Sequence, residues 1–296
     1  MKIIKDVIPL VDEWKGMEAD IVELTEGITN KNYKVTVNEK SYIVRIPGEG
    51  TELFIDREVE LHNMLSASNS GVGAHIFKYF RPDYIVISDF IDGKVMSAES
   101  FKNKNLIIKA LEAIKKINTE GKFTSTFIMF DYFDTYLQLT KNHSMKMPNN
   151  FTDAEKIVDK VREKFLKNMP ELAPCHNDLL AENFIDQGDR MRIIDWEFSG
   201  MNDPCFEIGD FSVEQGFGED EDTLIIETYF GAFDESKFAR MSIYKSMADI
   251  LWTLYAMIQN HFSKIDFDHW EYGIKRFNRA MNNMHSDKFS QWLKNS

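Results

Sequence analysis

The sequence predicts an α+β protein of two lobes, a small β-rich one over residues 1–92 and a larger α-rich one over residues 93–296. Three observations carry that expectation. Runs of β-branched and aromatic residues crowd the first third of the chain, apolar stripes of helical period fill the rest, and the character changes at Asp89-Phe90-Ile91-Asp92-Gly93.

Taken in order, Val35-Thr36-Val37, Tyr42-Ile43-Val44-Arg45-Ile46 and Tyr84-Ile85-Val86-Ile87-Ser88 read as strands. Turn residues separate them at Asn38-Glu39-Lys40 and Pro47-Gly48-Glu49-Gly50. A helix interrupts the strands from Asp56 to Leu65, where Val59, Leu61, Met64 and Leu65 follow a helical period, and it stops at the Ser/Asn/Gly cluster from Ser66 to Gly71. Beyond Gly93, Leu106, Ile107, Ala110, Leu111, Ile114 and Ile117 form one helical stripe. Ile157, Val158, Val161, Phe165 and Met169 form another. Residues 119–152, rich in Phe, Thr, Asn and Lys, fit neither period. Pro170 and Pro174 then punctuate the entry to a polar loop, and Met191-Arg192-Ile193-Ile194 reads as a short buried strand leading into Asp195.

Composition narrows the function classes. A chain of 296 residues with net charge −13 lacks the clustered Lys and Arg that a phosphate backbone requires, so nucleic acid is not an expected partner. The apolar runs are too short to span a membrane, and Met1-Lys2-Ile3-Ile4-Lys5-Asp6 has neither the apolar core nor the cleavage site of a signal peptide. The expected compartment is the cytoplasm, with Cys175 and Cys205 as reduced, partly buried thiols.

The most informative stretch is Cys175-His176-Asn177-Asp178-Leu179-Leu180-Ala181-Glu182-Asn183, followed by Ile193-Ile194-Asp195-Trp196-Glu197. His-x-Asp, an Asn five residues beyond that Asp, then an apolar pair and another Asp is the layout of a kinase-type phosphoryl-transfer site. Asp178 can orient a hydroxyl and accept its proton, Asn183 offers a neutral oxygen to Mg²⁺, and Asp195 brings the hard anionic oxygen that Mg²⁺ prefers.

Such a loop requires a nucleotide side, and the small lobe has candidates. In the expected hairpin Leu24 to Tyr33, Gly27 frees the backbone, and Thr29 and Asn30 can contact phosphate oxygens, although the same residues also make a plain turn. Arg45 is an isolated cation in an apolar strand, and if buried it needs a carboxylate, for which Glu58 and Glu60 are the options. Backbone groups from Asp89 to Ile91 can hydrogen-bond an adenine ring. Near the C-terminus, Trp252 and Tyr255 lie three apart on an expected helix and face the same way. That spacing suits either core packing or an aromatic pocket for a quaternary ammonium.

Together these segments resemble the choline/ethanolamine kinases, most closely the bacterial choline kinases, across nearly the whole chain. The resemblance is carried by Thr29-Asn30-Lys31-Asn32-Tyr33, Val44-Arg45-Ile46-Pro47-Gly48, Asp56-Arg57-Glu58, the His176 to Asn183 loop and Ile194-Asp195-Trp196-Glu197-Phe198. It continues through Gly200-Met201-Asn202-Asp203-Pro204 and the block from Trp252 to Tyr272 ending in Arg276-Phe277. It implies a protein-kinase-like two-lobed fold using ATP and Mg²⁺, with choline as the small-molecule acceptor. By the same resemblance Asp178 is the catalytic base, Asn183 and Asp195 are the Mg²⁺ ligands, and Arg45 with Glu58 is the phosphate clamp. Trp252, Tyr255, Phe267 and Tyr272 form the ammonium pocket, Glu214 complements its charge, and Glu197 supports a metal-bound water. Tyr255 stands where eukaryotic relatives usually carry Trp. Asn177 replaces the Arg of the protein-kinase loop and no Ala-Pro-Glu segment follows Asp195, which argues against a protein substrate. The rival readings are an ethanolamine kinase, an aminoglycoside-type or thiamine-type kinase, and a nucleotide-binding pseudokinase.

Overall fold

The computed structural model describes residues 3–24, 30–48, 55–263 and 267–296. A short helix α1 (Ile4–Val7) leads to strands β1 (Ala19–Leu24), β2 (Asn30–Val37) and β3 (Lys40–Pro47), helix α2 (Arg57–Ser70), and strands β4 (Ile76–Phe80) and β5 (Ile85–Asp89). The strands form one antiparallel sheet in the order β1-β2-β3-β5-β4. Alternation sets its buried face: Tyr33, Val35 and Val37 on β2 and Tyr42, Val44 and Ile46 on β3 point into a small core with Val7, Val11 and Trp14. Asn38 and Glu39, both at positive φ, turn the β2–β3 hairpin, the geometry that matches strand twist.

Helix α2 belongs to both lobes. Asp56 caps its start by accepting the Glu58 and Val59 N–H groups, and Gly71 ends it at φ +75°. Its Ala67 packs into the core of the larger lobe, and Asn63 Nδ2 donates to the Ser199 carbonyl at 2.9 Å. The helix carrying the partner of Arg45 is therefore pinned to the segment that follows Asp195.

The larger lobe runs through β6 (Lys94–Val95), α3 (Lys104–Glu120), α4 (Met129–Asn142), α5 (Phe151–Lys167), β7 (Ala173–Cys175), β8 (Phe184–Asp186), β9 (Met191–Ile193) and β10 (Gly200–Asn202). Helices α6 (Pro204–Gln215), α7 (Glu219–Phe230), α8 (Glu235–Phe262), α9 (His269–Met284) and α10 (Asp287–Asn295) complete it. Strands β6-β8-β9 form a small sheet, and β7 pairs with β10, so the polar loops between them are held at both ends. Both expected apolar stripes are helices, α3 and α5, with Met169 lying just beyond α5. The segment that fitted neither period contains α4, which buries Met129, Phe130, Phe133 and Tyr136. Among the described residues no helix is long and apolar enough to cross a membrane.

Candidate active site

The loop from His176 to Asn183 leaves β7 and is held from below by helix α6. The Glu207 carboxylate accepts the backbone N–H groups of His176 at 2.8 Å and Asn177 at 2.7 Å, and Asp210 Oδ2 accepts that of Leu179 at 2.7 Å. Asn177 sits at φ +69°, a left-handed conformation that Asn tolerates. Its Nδ2 donates to the Phe198 carbonyl at 2.9 Å and its Oδ1 accepts from Asn202 at 2.8 Å. Every one of these groups is buried, so each bond removes a desolvation penalty of about 1–3 kcal/mol that an unmade one would carry. The loop is thus fixed by long-range contacts rather than by its own turns.

His176 works in the same frame. Its Nε2 lies 2.8 Å from the Ile194 carbonyl, so that nitrogen carries the proton, and Nδ1 faces the Asp178 N–H at 3.3 Å as acceptor. Burial lowers its pKa to about 4. It is a neutral strut joining the two loops, not an acid or base at neutral pH.

Asp178 is half-buried and opens on the cleft, and burial together with the charges of Asp210 and Glu214 pushes its pKa up. Asn183, which lines the cavity, donates Nδ2 to the Asp178 carbonyl at 2.9 Å. The Ile194 N–H bonds the Asn183 carbonyl at 2.9 Å and brings Asp195 alongside. Asp195 sits at φ +68°, its Oδ1 3.5 Å from Arg45 Nη1. Burial raises its pKa and Arg45 opposes the rise.

On the small-lobe side, the partner of Arg45 requires a correction. Glu60, not Glu58, closes on its Nη2, while Glu60 also takes Arg57 Nη1 at 2.6 Å. Glu58 is half-exposed, bound by Arg81 Nε at 2.8 Å and Nη2 at 2.7 Å and by the Tyr84 hydroxyl at 2.8 Å. Two helix positions differ by about 200° around the axis, so residues 58 and 60 cannot both face the cleft. Glu197 joins Arg45 with Oε2 at 3.5 Å and accepts from Asn30 Nδ2 at 3.1 Å. Burial, then the charge of Asp195, pushes Glu197 up to about 8. Asn30 also accepts from Arg57 Nη2 at 3.3 Å, so its side chain bridges the lobes. Gly27 and Thr29 lie outside the described residues. At the chain crossing, the Asp89 carboxylate is engaged by Lys40 at 2.9 Å and His75 at 3.3 Å, and the Asp89 and Phe90 N–H groups bond the carbonyls of His75 and Ser41. Asp89, Phe90 and Ile91 line the cleft.

One cavity of about 540 Å³ runs from that crossing past Arg45, Asp178, Asn183 and Asp195 to an aromatic end formed by Trp252, Tyr255, Phe267 and Tyr272. Trp252 and Tyr255 meet at 6.0 Å between ring centres and 83°, and Phe198 packs edge-on against both. The four aromatic residues expected in a pocket therefore converge. Glu214, expected beside them, does not line the cavity: Arg276 takes both its oxygens at 2.5 and 2.6 Å, and Arg276 Nη2 also holds the Tyr272 hydroxyl at 2.5 Å. Sequence reasoning missed Glu207 and Asp210, and it named Arg276 without giving it a role. The signal for the first two is present, since Glu207, Asp210 and Glu214 interrupt an otherwise apolar run of Phe206, Ile208, Phe211 and Val213.

The donor set suits a hard cation. Asn183 and Asp195 supply oxygens only, the preference of Mg²⁺, which keeps several of its positions for water and phosphate. Among the described residues no cluster of three His, Cys, Asp or Glu groups gathers at metal-binding distance.

A small antiparallel sheet over a helical lobe, with this loop at their junction, is the kinase-like fold. The family model for choline/ethanolamine kinase matches residues 21–229, and the chain belongs to that family. The chain is similar to a choline/ethanolamine kinase family protein from Mesorhizobium loti, whose crystal structure superposes with a TM-score of 0.87 at 31% identity, covering 98% of this chain and 97% of that one. It is 25% identical to protein LicA of Haemophilus influenzae over 86% of this chain and 97% of LicA. It is 27% identical to ethanolamine kinase 2 of Homo sapiens over 94% of this chain and 79% of that protein.

Proposed function

We propose that this chain transfers the γ-phosphate of ATP to the hydroxyl of choline, giving phosphocholine in the cytoplasm. The observation that supports the acceptor is the aromatic end of the cavity. Trp252, Tyr255, Phe267 and Tyr272 line it, and a trimethylammonium group, which has no N–H to donate, is attracted by the negative face of an aromatic ring. Asp178 lines the same cavity, so an acceptor held there shares it with that carboxylate.

Asp178 orients that hydroxyl and takes its proton as the oxygen attacks phosphorus, a role that a raised carboxylate pKa suits. Arg45, fixed by Glu60, faces the phosphates, and the backbone of Asp89 to Ile91 receives the adenine. Asn183 and Asp195 would hold Mg²⁺, which when bound neutralises phosphate charge, and Glu197 would support water around it. Catalysis on this reading is mostly positioning and charge neutralisation.

Ethanolamine is the second reading, favoured by the similarity to a human ethanolamine kinase. A primary ammonium needs hydrogen-bond acceptors, and the Tyr272 hydroxyl, one candidate, already accepts from Arg276 Nη2. The deciding experiment measures ATP consumption with Mg²⁺ across choline, ethanolamine, thiamine and an aminoglycoside, with the product identified by mass. Preference for choline is the expected result. Preference for ethanolamine keeps the kinase and removes the ammonium argument, and nucleotide binding without any product identifies a pseudokinase.

A further inference from the structure

Helix α6 places three carboxylates, Glu207, Asp210 and Glu214, in the interior between the catalytic loop and the aromatic end. Their surroundings assign them different work. Glu207 is spent on the loop backbone. Glu214 belongs to a buried network in which Arg276 binds it on both oxygens and reaches Asp249 at 3.4 Å, while Arg279 binds Asp249 at 2.6 and 2.7 Å. Two carboxylates and two guanidiniums balance there, so the network as a whole carries no net charge. Its visible product is mechanical: Arg276 fixes the Tyr272 hydroxyl and lies over the Tyr272 ring at 4.4 Å.

Asp210 differs. It is fully buried, Oδ2 accepts the Leu179 N–H at 2.7 Å, Oδ1 accepts the Trp252 indole N–H at 2.8 Å, and among the described residues it makes no ion pair. Burial and the charge of Glu214 push its pKa up, while the two N–H donors pull it down. Donors on both oxygens are the arrangement of a carboxylate rather than of an acid. A carboxylate on an indole N–H also increases electron density on the ring, which strengthens attraction of a cation to its face.

Resting on the reading of a cationic alcohol as acceptor, we propose that Asp210, rather than Glu214, supplies the negative charge that selects the acceptor, acting through the Trp252 ring. Asp210 does not line the cavity, so it is a specificity-determining residue and not a catalytic one. Because its other oxygen holds the residue next to Asp178, the same carboxylate sets the ammonium wall and the catalytic loop in fixed register.

The test compares choline with its neutral isostere 3,3-dimethylbutan-1-ol, which has the same shape without the charge. In Asp210→Asn the ratio of kcat/KM for choline over the isostere should fall about ten-fold or more, equivalent to about 1.4 kcal/mol. The paired variant E214Q/R276M removes opposite charges together and should slow both alcohols alike, leaving the ratio within about three-fold. Trp252→Phe, which keeps a ring but removes the N–H, should lower the ratio in the same direction as Asp210→Asn, and it serves if Asp210→Asn does not fold. A merely structural role for Asp210 would depress both substrates equally and leave the ratio unmoved. That outcome, or a collapse of the ratio in the paired variant alone, overturns the proposal. Wild-type turnover of choline reports separately on the kinase reading. Calorimetric binding of tetramethylammonium reads the charge effect without any turnover: it should weaken about ten-fold in Asp210→Asn, and unchanged binding there would overturn the proposal.

Discussion

Glu60 closes on the Arg45 guanidinium from one face of helix α2, while Glu58, two residues earlier, faces away and is bound by Arg81. Arg45 also faces Asp195 and Glu197 at 3.5 Å, so removing Glu60 leaves a buried guanidinium drawn toward those two carboxylates. Glu60→Gln should raise the KM for ATP and lower kcat/KM by about 10–100-fold in steady-state assays. Glu58→Gln loses an exposed pair of the kind worth about 0–1 kcal/mol and should stay within about three-fold of wild type. Equal losses in the two variants would remove the Arg45–Glu60 pair from the mechanism.

Asp178 is the carboxylate that opens on the cavity beside Asn183. Asp178→Asn keeps the shape and the loop bonds, none of which uses its carboxylate, but abolishes proton acceptance. Turnover should fall by about 10²–10⁴-fold while ATP affinity, read by calorimetry, changes little. Wild-type turnover in this variant would take Asp178 out of the reaction.

Glu207 supports two buried N–H groups at once. Burial pushes its pKa up to about 7, against the pull of those two donors. Glu207→Ala strands both donors and should cost about 2–5 kcal/mol in denaturant unfolding, with loss of activity even at temperatures where the protein stays folded. Unchanged stability would mean that Asp210 and the side chains of Asn177 and His176 hold the loop without it.

How much of this was legible depends on the range of each signal. The strands of the small lobe and helices α3 and α5 show in the sequence because alternation and helical period are local. Helix α4 does not, since Phe130, Tyr132 and Phe133 carry strand propensity that only packing overrides. The spacing of His176, Asp178, Asn183 and Asp195 is local too, and the structure brings those residues together. The choice between Glu58 and Glu60 is a question of helix phase, fixed by where the Asp56 cap starts α2 and how Asn63 docks on Ser199. The contacts of Glu207 and Asp210 reach about thirty residues back along the chain, and the pairing of Glu214 with Arg276 spans the interval from α6 to α9. No local pattern encodes such partners, so Glu214 reads as a free counter-charge until Arg276 is seen beside it.

His176 gives a prediction in pH. Its folded pKa of about 4 lies below the ordinary histidine value near 6.5. Between those values the unfolded chain takes up a proton that the folded chain refuses, so stability from this group is intact above about pH 6.5. It falls as the pH drops toward 4, by up to about 3 kcal/mol. In side-chain NMR of histidine-labelled protein, the His176 signals should stay in the Nε2–H neutral form from about pH 7 to 5. His176→Asn should flatten this part of the stability curve, because an amide has no proton to take up in that range. A His176 signal that titrates near 6.5 would mean that the ring is not buried between Ile194 and Trp196, and that the two loops are not joined through it.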